Sequence, residues 1–201
     1  GSAFTEILRG EIQERYLALN NQITDLYHVY MQGQMAFEPD RIFFPDANST
    51  LRVAYGKVQG YEGDDAITYR HFTTLEGVME KDSPEIYDYD VPERLREIYR
   101  TKDYGRWAIN IGSETKPRVT VPVAFIATNH TTGGNSGSPV LNGNGELLGI
   151  NFDRTWVSTM SDLEFDEEYC RNIAVDIRFV LFVIEKIGGA EYLFDEMVFS
   201  E

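Results

Sequence analysis

Ser136 is the residue whose surroundings suggest chemistry. It lies in the stretch Thr-Thr-Gly-Gly-Asn-Ser-Gly-Ser-Pro, which begins at Thr131. A serine hydroxyl becomes a nucleophile when a base removes its proton, and the oxyanion formed at the attacked carbonyl needs backbone N–H donors. Gly134 has no Cβ to obstruct a tight turn, so the amides of Gly134 and Ser136 can converge on one carbonyl oxygen. The stretch therefore indicates a nucleophile with an oxyanion hole. The alternative is that Ser136 is an ordinary polar residue of a glycine-rich turn.

A serine nucleophile also needs a histidine base and a carboxylate that orients it. The sequence contains three histidines. His28 falls in a predicted helical stripe and is expected on the surface or at an interface, and His71 falls in a predicted strand or turn. His130 is six residues before Ser136, too near along a tight loop for the geometry of a base. None of the three is a convincing partner for Ser136.

Composition excludes several classes of partner and cofactor. The formal net charge of -15, from 33 acidic and 18 basic residues, leaves no basic stripe for nucleic acid or an anionic membrane. No apolar run approaches the length of a membrane span. Cys170 is the only cysteine, so no zinc framework is predicted, and we expect it to be a buried small hydrophobe. Nothing in the sequence suggests a metal or an organic cofactor.

Two kinds of periodicity divide the chain. Between Phe4 and Gly33, apolar residues recur at steps of three and four, which predicts a long helix that stops near Gly33. Later, short β-branched or aromatic stretches between turn signals predict strands at 51–55, 118–126, 138–141, 146–152 and 172–176. Further helices are predicted at 92–99 and 177–187. The pattern indicates a mainly β fold with helices, built as a small antiparallel barrel or sandwich.

The order of elements around Ser136 resembles that of trypsin and chymotrypsin, in which Gly-Asp-Ser-Gly-Gly-Pro leads through a hairpin into the strand that pairs with substrate. This chain has Gly-Asn-Ser-Gly-Ser-Pro, which differs at two positions. A closer resemblance covers most of the chain from residue 45 to the end. It is carried by PDANSTLR at 45–52, TLEGVME at 74–80, TNHTTGGNSGSP at 128–139, NFD at 151–153 and AVDIR at 174–178. These segments resemble the bacterial serine dipeptidyl peptidases of the dipeptidyl-peptidase 7/11 family, and most closely its Asp/Glu-specific members.

The resemblance implies an organisation. Residues 1–46 would be the end of a helical cap domain, and residues 47–201 the second β-barrel of a chymotrypsin-like double barrel with a C-terminal helix. The catalytic histidine and aspartate would belong to the amino-terminal barrel of a longer chain, so the 201 residues alone are expected to be inactive. Gly1-Ser2 looks like the remnant of a cleaved tag, which agrees with a start inside a longer protein. The family also implies a homodimer in the periplasm or outside a bacterial cell.

The resemblance further implies how substrate is recognised. Arg154, eighteen positions after Ser136, matches a family position that is arginine in enzymes preferring Asp or Glu before the scissile bond and glycine in those preferring apolar residues. The alternative is that Arg154 is a solvated residue paired with Asp153 or Glu164. Asp153 matches a family aspartate that binds the free amino terminus of the substrate. Neighbouring residues of a regular strand point to opposite faces, so Asp153 and Arg154 can contact one substrate only if the strand bulges or ends near Phe152. His130 either lines the pocket or is structural. The acidic cluster 162–168 is expected to be a solvated loop.

Three functions follow from these residues. The first is a serine exopeptidase that removes dipeptides from peptides with a free amino terminus and prefers Asp or Glu before the scissile bond. The second is a chymotrypsin-like endopeptidase, which needs no anchor for an amine. The third is a non-catalytic peptide-binding module. Comparing a free with an acetylated peptide separates the first two.

Overall fold

The computed structural model describes residues 5, 8–41, 43 and 50–200. The chain divides into two compact units, Gly1–Pro45 and Asp46–Glu201. The predicted tag remnant Gly1-Ser2, the predicted helix start at Phe4 and the predicted boundary between residues 46 and 47 lie outside the described residues.

The first unit is dominated by one helix. Helix α1, Gln13–Phe37, follows a π-helical turn at Leu8–Ile12. It continues past Gly33, so the predicted stop there is wrong, and nothing lies near enough to Gly33 to require a glycine. The apolar residues that define the predicted stripe are all exposed: Ile12, Tyr16, Leu19, Ile23, Leu26, Tyr27 and Tyr30. His28 is also exposed, as expected.

The second unit is built on antiparallel strands. Their bounds are β1 Tyr61–Glu62, β2 Thr68–Tyr69, β3 Phe72–Thr74, β4 Ile109–Asn110, β5 Val119–Thr120, β6 Pro122–Ala127, β7 Pro139–Leu141, β8 Leu147–Arg154 and β9 Asn172–Asp176. Within the described part of the chain, five of them form one sheet in the order β3-β6-β9-β8-β7, while β1 pairs with β2 and β4 with β5. Because β3 and β7 do not pair, the described sheet is open, and the fold is mainly β with helices rather than a closed barrel.

The second unit also contains helices. They are α2 Leu75–Glu80, α3 Glu93–Thr101 and α4 Ile177–Phe182, the last continued by a π-helical turn at Val183–Ile187. Short 3-10 helices lie at Tyr87–Tyr89, Gly105–Trp107, Trp156–Asp162 and Glu191–Glu196. The core that these elements share contains Leu75, Val91, Leu95, Ile98, Tyr104, Trp107, Val121, Leu181, Phe182 and Phe194. Trp107 Nε1 donates to Glu185 Oε2 at 2.7 Å, which satisfies the one polar atom of the indole as the ring is buried.

Several predicted elements match the structure and others do not. Strand β9 has the predicted bounds, and β8 runs two residues past the predicted end at Phe152. The strand predicted at 51–55 is wrong, because those residues have no regular structure, and the one predicted at 118–126 is divided into β5 and β6. Cys170 is buried, as predicted.

Truncating a core side chain should destabilise the second unit. Leu75 is 0% exposed and Leu51 is 96% exposed. We therefore expect Leu75→Ala to lower the free energy of unfolding by about 2–5 kcal/mol, through lost burial and the cavity left behind. Leu51→Ala, the matched control, should change it by less than about 0.5 kcal/mol. Urea denaturation of the 201-residue chain measures both, and equal effects would contradict the described core.

Candidate active site

The turn that carries Ser136 has a backbone only glycine adopts readily. Gly134 has a φ of 90° and Gly137 a φ of 84°, both in the left-handed region. No atom lies within 4 Å of a Cβ built on Gly137, so the backbone angle alone requires glycine there. These two residues let the chain reverse on both sides of Ser136 and leave its side chain exposed.

Backbone hydrogen bonds attach this turn to strand β8. The amide of Gly137 donates to the carbonyl of Asn151 at 2.8 Å, and the amide of Asn151 donates to the carbonyl of Ser138 at 2.9 Å. Ser138 N also donates to Asn135 O at 3.0 Å and closes the turn itself. The position of Ser136 is therefore set by β8.

A buried pair of asparagines extends this attachment across the sheet. Asn151 Nδ2 donates to Asn135 O at 3.2 Å, and Asn172 Nδ2 donates to Asn151 Oδ1 at 2.8 Å. Asn151 is 5% exposed and Asn172 is 3% exposed, so these bonds form where water does not compete. Sequence reasoning missed both residues. The available signal was the presence of an asparagine inside an apolar strand. Asparagine is depleted in strands, and a buried asparagine side chain needs a hydrogen-bond partner.

The amides proposed for the oxyanion hole are available to a ligand. Within the described residues, the backbone N–H groups of Gly134 and Ser136 have no hydrogen-bond acceptor. Ser136 Oγ donates to Phe152 O at 3.4 Å, a long hydrogen bond that an incoming base or carbonyl can replace. The arrangement can hold a carbonyl oxygen beside an exposed hydroxyl.

Strand β8 has a bulge at Phe152. Asn151 pairs with Ala174, Asp153 with Ile173 and Arg154 with Asn172, so Phe152 has no partner in the ladder. In a regular strand, residues three apart point to opposite faces. The extra residue reverses this, so that Arg154 lies on the same face of the sheet as Asn151 and Asn172.

The bulge lies where the sequence required an irregularity, but it does not bring Asp153 to that face. Asp153 and Arg154 pair with consecutive residues of β9, so their side chains point to opposite faces. Asp153 Oδ1 instead accepts the backbone N–H of Arg154 at 2.8 Å. Because β8 ends at Arg154, only a ligand that lies across the strand end can contact both side chains.

Arg154 forms a two-point ion pair with Asp162. Its Nη1 and Nη2 donate to Asp162 Oδ1 and Oδ2, both at 2.7 Å, and Nη1 also donates to Ser161 Oγ at 3.0 Å. The alternative partners Asp153 and Glu164 were therefore wrong. Asp162 is exposed, as expected, and residues 163–168 have no regular structure, but Asp162 itself ends the 3-10 helix Trp156–Asp162 and does not belong to the loop. The hydrogen bonds from Arg154 lower the pKa of the Asp162 carboxyl.

His130 lies beside this ion pair. Its ring stacks on Phe165 with centroids 4.3 Å apart and planes 22° apart. Burial lowers the pKa of the His130 imidazole, a hydrogen bond with the Ser161 backbone opposes this, and the nearby Arg154 charge lowers it further. His130 is therefore a stacked aromatic ring close to Arg154, in surroundings that favour its neutral form. His71, by contrast, is exposed and contacts Phe72.

Neither of the two best-defined depressions in the described part of the chain lies at Ser136. Two open depressions, of about 490 and 540 Å³, are lined by other parts of the second unit and include neither Ser136 nor Arg154. Among the residues that the structure describes, no group of three or more metal-ligating side chains is arranged to hold an ion. None of the described helices is long and apolar enough to cross a membrane.

Comparisons with known proteins agree on one family. The family model for peptidase S46 matches residues 6–199. An Asp/Glu-specific dipeptidyl-peptidase of Flavobacterium psychrophilum is 50% identical over 186 residues, which are 92% of this chain and 25% of that protein. A dipeptidyl-peptidase 7 of Phocaeicola vulgatus is 47% identical over 178 residues, which are 88% of this chain and 24% of that protein.

A solved structure has the same fold. The crystal structure of Porphyromonas endodontalis DPP11 in complex with the dipeptide Arg-Glu superposes with a TM-score of 0.71 and 44% sequence identity. The match covers 83% of this chain and 23% of that one. The chain thus spans about a quarter of the length of the curated relatives that it matches.

The ion pair predicts how Asp162 titrates. Because Arg154 stabilises the carboxylate, the Asp162 pKa should lie below its ordinary value of 3.8, and the stabilising effect should be present above that pH and lost as pH falls through the lowered pKa. Carbon-detected NMR of the carboxyl group measures this. Arg154→Gly should move the midpoint up towards the ordinary value. A midpoint that does not move would show that the two side chains are not paired in solution.

Proposed function

The chain belongs to the peptidase S46 family, and we propose that it carries the nucleophile and the side-chain pocket of a serine exopeptidase that releases N-terminal dipeptides after Asp or Glu. The observation that carries this proposal is the bulge at Phe152. The bulge places Arg154, whose side chain is 24% exposed, on one face of β8. The Asn151 side chain lies on the same face and donates a hydrogen bond to the Ser136 turn. A nucleophile in a turn that is hydrogen-bonded to β8, together with a cation at the end of β8, is suited to a substrate whose acidic side chain precedes the bond that is cut.

In the proposed reaction, Ser136 Oγ attacks the carbonyl carbon of the second substrate residue while a base takes its proton. The amides of Gly134 and Ser136 stabilise the oxyanion. Collapse of the tetrahedral intermediate passes the proton to the departing amine and leaves the dipeptide as an ester on Ser136. Water, activated by the same base, then hydrolyses the ester and regenerates the hydroxyl.

We assign the base to polypeptide outside these residues. The His130 ring is partly buried and stacks on Phe165, and His28 and His71 have no described contact with Ser136. A histidine and an aspartate from an amino-terminal barrel complete the triad in this proposal. The open sheet of the described residues and the exposed position of Ser136 support a cleft whose other wall comes from that barrel.

Arg154 supports a preference for acidic side chains. A guanidinium offers a planar fork of donors that matches a carboxylate, and it keeps its charge across the physiological pH range. The similarity to known proteins supports the same preference, since an Asp/Glu-specific dipeptidyl-peptidase is 50% identical to this chain. In the proposal, Asp153 binds the substrate amine across the end of β8, and His130 forms a wall of the pocket.

The remaining parts of the proposal follow from the family. Residues 47–201 form the second barrel of a chymotrypsin-like double barrel, and residues 1–46 form the end of a helical cap. The whole protein is a bacterial enzyme, periplasmic or secreted, and a homodimer. The exposed apolar residues of α1 support a contact with polypeptide that the described residues do not include.

Removing the Ser136 hydroxyl should abolish hydrolysis. In the full-length protein, Ser136→Ala should lower kcat for a fluorogenic dipeptide reporter, in which Glu precedes the fluorophore, by roughly 10³-fold or more. The reason is that no acyl-enzyme can form. Ser200→Ala, at an exposed position, is the control and should leave kcat unchanged. Release of the reporter fluorophore measures both. The 201-residue chain alone should not release it. Activity in that chain would mean that it contains its own base.

Replacing Arg154 should change selectivity rather than remove activity. Arg154→Gly in the full-length protein should lower kcat/KM for reporters with Asp or Glu before the scissile bond by about 10- to 100-fold, through loss of charge-assisted hydrogen bonds. Reporters with an apolar residue there should be cut as well as before or better. Arg70→Gly, at an exposed arginine, is the matched control. Unchanged selectivity would remove Arg154 from the pocket.

A further inference from the structure

The Arg154 guanidinium has one edge that the protein uses and one that it leaves open. Nη1 donates to Asp162 Oδ1 and Ser161 Oγ, and Nη2 donates once, to Asp162 Oδ2. Of the five N–H groups of a guanidinium, the Nε–H and the second Nη2–H then remain. No described residue accepts either of them. These two bonds point the same way along one edge of the planar group, which is a second carboxylate-binding fork.

Asp162 is held in place by its own helix. The 3-10 helix Trp156–Asp162 follows β8 directly. Ser158 lies near the start of this helix, and its buried hydroxyl forms two hydrogen bonds with the Arg171 backbone. The hydroxyl accepts a hydrogen bond from the Arg171 amide at 2.7 Å and donates one to the Arg171 carbonyl. Thr155 N also donates to Arg171 O at 3.0 Å. Because Arg171 immediately precedes β9, this helix is attached to the strand next to Arg154, and Asp162 is a fixed anchor rather than a mobile loop residue.

Two effects of Asp162 on a bound anion oppose each other. Its carboxylate repels a second carboxylate on Arg154, but it also holds the guanidinium in one orientation. The exposed fraction is 61% for the Asp162 side chain and 24% for the Arg154 side chain. Water screens a charge as exposed as that of Asp162, which weakens the repulsion. The orientation of the more buried guanidinium is fixed by three hydrogen bonds, so the positioning effect is the larger of the two.

We propose that Asp162 is a positioning residue for substrate selectivity: it holds Arg154 by the Nη1–Nη2 end so that the Nε–Nη2 edge faces the carboxylate of the substrate side chain. The inference rests on the proposed function, because it deepens the role of Arg154 in the pocket. Ser161, whose buried hydroxyl accepts from Nη1, limits rotation of the guanidinium about its own axis. A fork that is already oriented loses less conformational entropy when a carboxylate binds.

Asp162→Asn in the full-length protein tests this proposal. The amide keeps the size of the side chain but removes its charge and one of its two acceptor oxygens, which frees the guanidinium to rotate. We expect the ratio of kcat/KM for a Glu reporter to kcat/KM for an apolar reporter to fall about tenfold, mainly through KM for the Glu reporter. Asp162→Glu, which keeps a carboxylate, should recover part of that loss. Glu164→Gln removes a neighbouring exposed carboxylate and should leave the ratio unchanged.

The alternative outcomes each overturn the inference. A ratio that rises in Asp162→Asn would show that Asp162 competes with the substrate carboxylate. An unchanged ratio, or an equal fall for both reporters, would show that Asp162 does not position Arg154 for the substrate. Thermal melting of each variant establishes that it is folded, and Asp162→Glu provides the same comparison if Asp162→Asn does not fold. Failure of the proposed function looks different, because the unmodified protein would then cut neither reporter or show no preference for Glu.

Discussion

Asn151 is the residue on which the rest of the candidate site depends. Its backbone binds Gly137 and Ser138, and its side chain binds the Asn135 carbonyl and the Asn172 amide. The Asn151 and Asn172 side chains are buried, so breaking the hydrogen bond between them would leave polar groups without partners at a cost of about 1–3 kcal/mol. The turn around Ser136 is therefore held at one place on β8, and the position of the hydroxyl follows from the pairing of β8 with β9.

The bulge at Phe152 connects that turn to recognition. Without it, Arg154 would lie on the face opposite Asn151, and no ligand could reach it from the side of the Ser136 turn. One inserted residue thus places Arg154 on the face of β8 whose Asn151 side chain binds the turn of Ser136. The 3-10 helix that leaves this strand returns Asp162 to the guanidinium and fixes its orientation. The Ser136 turn, Arg154 and Asp162 thus follow one another along one piece of chain.

Local signals in the sequence were enough for some of these features. The glycine pattern around Ser136 and the β-branched run of β9 are local, and both the turn and the strand bounds were predicted from them. The Arg154–Asp162 pair was missed because it depends on a short helix whose residues show no clear periodicity. The apolar stretch 51–55 was read as a strand, but a strand also needs a neighbour to pair with, which single-sequence patterns do not reveal. The location of the bulge likewise depends on register with β9.

The most direct test of the account is a crystal structure of the full-length Ser136→Ala protein with a bound peptide that has Glu as its second residue. The account predicts that the Glu carboxylate lies on the Nε–Nη2 edge of Arg154, with Asp162 still on the opposite end. It also predicts that the backbone carbonyl oxygen of this Glu accepts hydrogen bonds from the amides of Gly134 and residue 136. A peptide whose Glu side chain points to solvent, or a turn that has separated from Asn151, would contradict it.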